Sequence, residues 1–438
     1  MMFSKQFRDA FIIGVALFAM FFGAGNLIFP PYMGLLGGES WALTFLGFAF
    51  TGIGLPLLGI LAASRAGGSV EHLASRVSSV FGIILSVIVL LAIGPLLAIP
   101  RTAATAFELG AAAIWPEFSA VLFSVLFFGM TFWFTMNRNN VIRKIGKYLT
   151  PFLVLTLAWI IVRGIFFPIG EPGSASLRSP FGDGFREGYQ TMDALASLVF
   201  TQIVIAALVY QGYKSTAEQT RLTLIAGSIA ALGLLLVYGG LMYLGATAAG
   251  LFESNVERTT LLIGITEALL GGSGAIALGI AVTIACLTTA IGLTATVAEY
   301  FSRLTAQRLS YRTVAVITVV FSGFFAIRGV TEIVNIAYPL LVLVYPVAIV
   351  LILLTITGGT FIHRFVYVGG VSGALLVSIP EALHIAGIAS GPFTIVLALI
   401  PFAEAGFAWA VAGLAGMLIG LLTVRVYYGT FFANVDWD

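Results

Sequence analysis

The amino-acid sequence predicts an all-α polytopic membrane protein with about twelve transmembrane helices. Three observations carry that expectation. Of the 438 residues, 60% are hydrophobic and only 9% charged, where a soluble domain carries about 25% charged residues. Mean hydropathy is +1.07, more apolar surface than a water-soluble fold can cover. Stretches of about twenty apolar residues, the length that crosses a bilayer, recur roughly a dozen times. Threading the chain through them sorts the basic residues by side. A net charge of +2 is too small to suggest nucleic acid or an acidic partner. One cysteine, Cys286, inside an apolar run, leaves no disulfide framework and no thiolate metal cluster.

The first predicted span covers Phe11–Leu36. Lys5 and Arg8 before it give a basic touch like a signal peptide, but no small-residue cleavage site follows, so it reads as a retained helix. Within it stands Phe-Ala-Met-Phe-Phe-Gly-Ala-Gly-Asn-Leu-Ile-Phe-Pro-Pro, residues 18–31. Glycine relaxes the backbone, and proline removes an N–H while clashing with the carbonyl one turn earlier. A break near Gly23, Gly25 and Asn26 would free amides for a carboxylate and carbonyls for a cation. The alternative is a Gly-x-Gly packing face with Pro30 and Pro31 ending the span.

Trp41–Ala63, Val80–Phe107, Phe118–Met136 and Tyr148–Phe167 are the next four spans. The third is doubly interrupted, at Gly94-Pro95 and at Pro100-Arg101. A charge at membrane depth is a functional hypothesis by default. Arg101 has three readings: a pair with Glu108 two turns on, a gate at an outer vestibule, or a reach to the interface. Met192–Tyr213, the sixth, carries the polar pair Thr201-Gln202 after Phe200, either a site residue set or a simple interhelical hydrogen bond. After Leu222–Ala249 comes Ser273–Tyr300, with Ala285-Cys286-Leu287-Thr288-Thr289. Neighbouring hydroxyls plus a freed carbonyl suit a hard cation, although threonine in membrane helices often bonds its own backbone. Val314–Arg328 is short, Thr331–Leu354 and Phe365–Ala386 are ordinary, and Phe393–Val424 is long.

With an even count and the N-terminus inside, fifteen of the 21 Lys and Arg, among them Lys5, Arg65, Arg76, Arg143 and Arg308, share one side. Arg178, Arg186, Arg258 and Arg328 take the other, while Arg101 and Arg163 lie within or near spans. That bias puts both termini in the cytoplasm. The segment 250–272 is expected to form short helices over the outer mouth. Asp193, Glu267, Glu299, Glu332, Glu381 and Glu404 fall near span ends and read as mostly solvated. His72, His363 and His384 sit in or near loops, which argues against a histidine proton relay.

The run Phe-Phe-Gly-Ala-Gly-Asn-Leu-Ile-Phe-Pro-Pro, then Gly52-Ile-Gly-Leu-Pro-Leu-Leu-Gly59, then Gly94-Pro95 to Thr105 resembles the bacterial branched-chain amino acid carrier family (LIVCS) over essentially the whole chain. Those carriers take up leucine, isoleucine and valine with Na⁺. The resemblance implies the amino-acid/polyamine/cation superfamily with a LeuT-type fold and broken helices 1 and 6. Residues 1–168 and 190–355 would be two inverted five-helix repeats, and 360–438 two peripheral helices with a C-terminal tail. It implies a substrate carboxylate on the amides of Ala24 and Gly25, beside Asn26. Phe200, Thr201 and Gln202 would lie at the second break. Na⁺ would be held by the carbonyls of Ala19, Phe22 and Ala285 and the hydroxyls of Thr288 and Thr289. Arg101 and Glu108 would be gating or structural.

The expected function is therefore Na⁺-coupled import across the bacterial inner membrane, with no cofactor beyond the coupling ion and no obligate protein partner. The alternative is an H⁺- or other-cation-coupled transporter of a different small apolar amino acid. A channel lacks a charge ring or filter-like repeat. A membrane-embedded enzyme lacks a clustered nucleophile, base or metal set.

Overall fold

In hydrocarbon every backbone N–H and C=O must find a partner inside the protein, which leaves helices as the simplest way to run this composition through a membrane. The computed structural model describes residues 2–137, 141–358, 363–388 and 399–429, with 2–4 and 141–150 as backbone only. Among the described residues it is helical and contains no strand.

The first leg is broken: α1 (Met2–Phe21) stops, and α2 (Ala24–Gly37) restarts two residues later. The second leg runs as α3 (Trp41–Ala49), a five-residue π turn, and α4 (Leu55–Arg65). A short α5 (Val70–Ser75) links it to a third leg of α6 (Ser79–Leu91), α7 (Ala98–Ala106) and α8 (Ala112–Ile114), joined by π turns at Ala92–Leu96 and Phe107–Ala111. The first π turn holds the Gly94-Pro95 pair. Proline there removes one backbone donor, and the wider turn absorbs the mismatch.

Next stand α9 (Ala120–Met136) and α10 (Val141–Phe166), then a second broken leg of α11 (Pro180–Glu187), a 3₁₀ turn at Gly188–Thr191, and α12 (Asp193–Tyr210). The rest is α13 (Thr216–Thr247), α14 (Arg258–Leu304), α15 (Tyr311–Ala326), α16 (Val330–Gly358), α17 (Arg364–Ile385) and α18 (Ala408–Tyr428). Among the described residues twelve legs cross, as the sequence predicts.

Three boundaries differ from expectation. The third leg runs on to Ile114, because its π turn carries it past Phe107. The short helix expected over 250–272 is continuous with the eighth span, since α14 begins at Arg258 and only bends at Gly271 (φ 71°, ψ 179°). The last helix starts at Ala408 rather than Phe393. Pro401 and the left-handed Gly406 hold residues 399–407 in turns, and 393–398 lie outside the described residues.

Burial differs widely between the legs. α16 is the most enclosed, with 72% of its most apolar window buried, against 22% for α18. α17 and α18 pack on each other backbone to backbone, where Gly369 faces Gly416 and Gly373 faces Ala412. Large apolar side chains such as Leu236, Phe324, Leu376 and Val426 stand outward, as lipid-facing residues should.

α13 lies along both arms of the first leg. Gly14 of α1 sits against the carbonyl of Ala226. Gly34 of α2 sits against the backbone of Met242, and Gly245 against that of Pro31. Any side chain at Gly34 or Gly245 would overlap the facing main chain, so glycine is what lets these helices touch.

Each end of the bundle is laced. At one end Asp9 accepts a hydrogen bond from the Tyr213 hydroxyl (3.0 Å), Arg65 donates to Ile356 O, and Arg364 donates to Val77 O. At the other end Arg258 pairs with Glu187 at 3.0 Å and lies 4.3 Å over the Tyr32 ring. The two ends hold the two groups of basic residues that the sequence separates.

Candidate functional site

The two broken legs meet. At the first break Phe22 and Gly23 leave the helix, Gly23 being extended (φ −110°, ψ −169°). Asn26, three residues on, turns its side chain back so that the Gly23 N–H donates to Asn26 Oδ1 at 3.3 Å. That satisfies one of the amides a helix start leaves without a partner. At the second break the 3₁₀ turn ends at Met192, held in the left-handed region (φ 61°, ψ 10°), and α12 starts at Asp193. A carboxylate in the first turn of a helix is favoured by the macrodipole.

Asn26 and Asp193 join the breaks. The Asn26 amide donates to Asp193 Oδ2 (2.7 Å) and to the Tyr238 hydroxyl, which itself donates to Asp193 Oδ2 (2.8 Å). Asn26 is 1% exposed, Asp193 2% and Tyr238 wholly buried. A buried carboxylate without partners would be costly, and this triad supplies them. It also ties α2, α12 and α13 at one point.

Arg101 of α7 reaches the same place. It is 4% exposed, lies 5.3 Å over the Phe29 ring and donates from Nη1 to Gln190 O at 2.6 Å, while its Nε has no partner. Its guanidinium rests on Gly25, where an added Cβ would come within 2.6 Å of Nη2.

Between the breaks lies a cavity of about 40 Å³. Its polar wall is Asn26, Arg101, Thr102, Thr191, Asp193 and Thr289, with the α2 start at Gly23 and Ala24. Its apolar wall includes Phe21, Ile93, Phe200 and Leu293. Phe21 and Phe200 pack with centroids 5.7 Å apart. The volume admits a water or so, so an amino acid enters only as the walls part. A wider groove beside Arg65 and Arg221 shares no residue with the breaks.

The residues predicted for this site separate into groups. Ala24 and Asn26 line the cavity, and Gly25 packs behind them beneath Arg101. Phe200 lines it too. Thr201 and Gln202 do not: α12 is continuous through them, Thr201 donates to Ser197 O at 2.7 Å, and Gln202 is exposed on the outer face of the helix. The second break therefore belongs at Met192, about two turns earlier than expected.

Of the cation set, Thr289 lines the cavity against Gly23. Thr288 precedes it directly on α14 and turns its hydroxyl back to donate to Ala285 O, one turn earlier, at 2.8 Å. Phe22 is buried at the break and Ala19 is half-buried one turn before it.

Arg101 is not paired with Glu108. Glu108 instead accepts from Thr259 Oγ1 (2.7 Å) and from the Val330 N–H (2.9 Å), pinning the third leg to the starts of α14 and α16.

Asp193 is the cavity-lining residue that sequence reasoning misses, because its position groups it with solvated span-end acids. Glu267, Glu299, Glu332 and Glu404 are exposed as expected, and Glu381 is half-buried. Asp193 differs because Asn26 of α2 and Tyr238 of α13 enclose its carboxylate. The available signal is Thr191-Met-Asp193 opening an apolar helix after a Gly- and Pro-rich loop, a helix start inside the bundle.

The family described as branched-chain amino acid transport protein matches residues 6–427 of this chain. The branched-chain amino acid permease BraB of Bacillus subtilis is 39% identical, covering 95% of this chain and 96% of its own length. The branched-chain amino acid transport system 2 carrier protein of Pseudomonas aeruginosa is 36% identical, with 95% and 96% covered. The permease BrnQ of Escherichia coli K12 is 32% identical over the same shares. Among solved structures, Mhp1, a nucleobase-cation-symport-1 family transporter with bromovinylhydantoin bound, superposes with a TM-score of 0.61 at 16% identity, covering 98% of this chain and 94% of that one. MhsT in complex with L-phenylalanine gives 0.57 at 18% identity, with 94% and 98% covered. These last two show a shared fold.

Proposed function

Because this chain belongs to the branched-chain amino acid transport protein family, and is thus a multi-pass membrane transporter and not an enzyme, we propose that it imports leucine, isoleucine and valine together with Na⁺ by alternating access. The observation that carries the reading is the cavity itself, apolar on one side and opened by two helix breaks on the other. A branched side chain offers no hydrogen bonds, so it is chosen by shape, and one methylene is worth about 1–3 kcal/mol. The three substrates should compete with one another.

The amides of Ala24 and Gly25 at the start of α2 would meet the substrate carboxylate, as helix N-termini meet anions. The carbonyls of Ala19, Phe22 and Ala285 with the hydroxyls of Thr288 and Thr289 would hold Na⁺ by summing several oxygen dipoles. Thr289 supports this by lining the cavity beside the break. Residues 1–168 and 190–355 are read as the two inverted repeats, each contributing one broken helix to the site. The end bearing Lys5, Arg65 and Arg76 faces the cytoplasm of a bacterial inner membrane, with both termini there.

A second reading, coupling to protons, has one observation in its favour: the carboxylate of Asp193 buried beside the cavity. Uptake of tritiated leucine into proteoliposomes separates the two. An inward Na⁺ gradient should drive accumulation at equal pH, and a pH gradient without Na⁺ should not. The reverse result transfers the coupling to protons. The orientation is checked with impermeant thiol reagents, Cys286 being buried. A cysteine at Ser174 should label from outside and one at Arg308 only from the cytoplasm.

A further inference from the structure

We infer that the substrate is held as a zwitterion between two fixed side-chain charges, with Arg101 reaching its carboxylate and Asp193 its ammonium group. This rests on the amino acid reading above and adds to it a polarity and two residues. Both side chains are all but sealed from solvent, and both line the one cavity. Burying a charge is costly unless it is paired, yet these two are not paired with each other. No nitrogen of Arg101 comes within 4.0 Å of an oxygen of Asp193.

Each is instead half-satisfied in a particular direction. Arg101 donates from Nη1 to Gln190 O, which is neutral, and its Nε has no partner. Asp193 takes the side-chain hydrogen bonds of Asn26 and Tyr238 together on Oδ2, both from neutral donors. Opposite charges standing apart across one cavity are completed by a ligand that carries both signs at short separation. An α-amino acid is such a ligand.

The placement of the charges also gives the orientation. Arg101 rests on Gly25, at the N-terminal turn of α2, so guanidinium, freed amides and helix dipole all favour an anion at one point. Asp193 occupies the opposite break. Phe21, Ile93, Phe200 and Leu293 supply the apolar wall for the branched side chain. The triad of Asn26, Tyr238 and Asp193 then acts as a fixed acceptor whose geometry is set before the substrate arrives, which lowers the ordering cost of binding.

The test uses the full chain in proteoliposomes, with tritiated leucine displaced by two analogues. Leucinol lacks the carboxylate and 4-methylvaleric acid lacks the ammonium group. In the wild type each should compete at least about tenfold more weakly than leucine. In Asp193→Asn, leucine should weaken while 4-methylvalerate should not, so their ratio collapses by about tenfold and the leucinol ratio holds. In Arg101→Gln the leucinol ratio should collapse and the 4-methylvalerate ratio should hold, with Arg101→Lys retaining discrimination. Where Asp193→Asn fails to reach the membrane, Asp193→Ser reads the same ratio while keeping a hydroxyl for Asn26 and Tyr238. If either substitution weakens leucine and both analogues by one common factor, the charge is structural and the zwitterion clamp is overturned. A wild type that takes leucine and shows unchanged ratios in its variants refutes the clamp alone. A wild type that ignores leucine removes the amino acid reading beneath it.

Discussion

The two helix breaks do the same geometric job with different chemistry. At the first, the backbone is merely extended at Gly23, a conformation open to any residue, and an added Cβ there would meet neighbours only at ordinary contact distances of 3.8 Å and beyond. The glycine that matters is Gly25, which leaves room for the Arg101 guanidinium. At the second, a methionine is held at φ 61°, a region that costs an L-residue about 1–2 kcal/mol, and side-chain hydrogen bonds to Asp193 and Thr191 secure the first turn of α12. One break is shaped by what it must pack against, the other by a strained residue inside a bonded turn.

Substitutions at matched positions test that contrast. The largest effect is expected for Met192→Pro. Proline fixes φ near −65° and removes the N–H that donates to Tyr189 O at 3.0 Å, at a cost of about 3 kcal/mol or more. Leucine uptake should vanish and the amount of folded protein should fall, read by fluorescence-detected size exclusion. A variant that transports normally would show that the left-handed turn is incidental. Asn26→Leu comes next. It removes the charge-assisted bond to Asp193, worth about 1.5–3 kcal/mol, and should lower uptake by about tenfold or more.

Gly25→Ala against Gly23→Ala then separates packing from backbone freedom. The first forces Arg101 and the Phe29 ring to retreat, an overpacking of about 1–3 kcal/mol, and should raise the leucine concentration for half-maximal uptake by roughly tenfold. The second should stay within about twofold of wild type on the same principle. Equal effects at the two glycines would return the first break to a simple matter of flexibility. The smallest change is expected at Thr289. Thr289→Val keeps the shape and removes one of several oxygens, so the Na⁺ requirement should rise a few-fold. Thr289→Ser, which keeps the oxygen, should stay near wild type. An unchanged Na⁺ dependence in Thr289→Val and Thr288→Val would move the ion elsewhere.

The same contrast explains what could be read from the sequence. The first break announces itself through Gly23, Gly25, Asn26, Pro30 and Pro31, residues whose local chemistry opposes an uninterrupted helix. The second has its nearest glycine, Gly188, at the start of the 3₁₀ turn, and the break itself falls on a methionine held in place by its surroundings. Such a position is invisible to local propensity. Thr201 and Gln202 stand out as polar residues in an apolar span, but one bonds its own helix and the other faces outward. Arg101 is legible as a charge at depth, while its setting is not. Glu108 lies on the same leg, yet the π turn delivers it to Thr259 and Val330 instead. Asp193 is hidden by a tertiary effect, since only the fold reveals that α2 and α13 close on it through Asn26 and Tyr238. Span number and most limits are legible because membrane thickness constrains them directly.

α13 also bears on how the molecule can move. It touches α1 through Gly14 and α2 through Gly34 and Gly245, main chain against main chain, on either side of the gap at Phe22 and Gly23. A splint fixed to both pieces of a broken rod makes the rod swing as one lever. Glycine contacts of this kind leave no side chains to slide past one another, so bending at the gap is resisted, and the torque passes to the seams that lack such contacts. Those seams run from α2 to α12, joined by the Asn26–Asp193 hydrogen bond, and from the first break to α14, where Thr289 stands against Gly23. Paired spin labels on α2 and α13 should therefore keep one distance through the transport cycle, while pairs spanning α2 and α12 should show two.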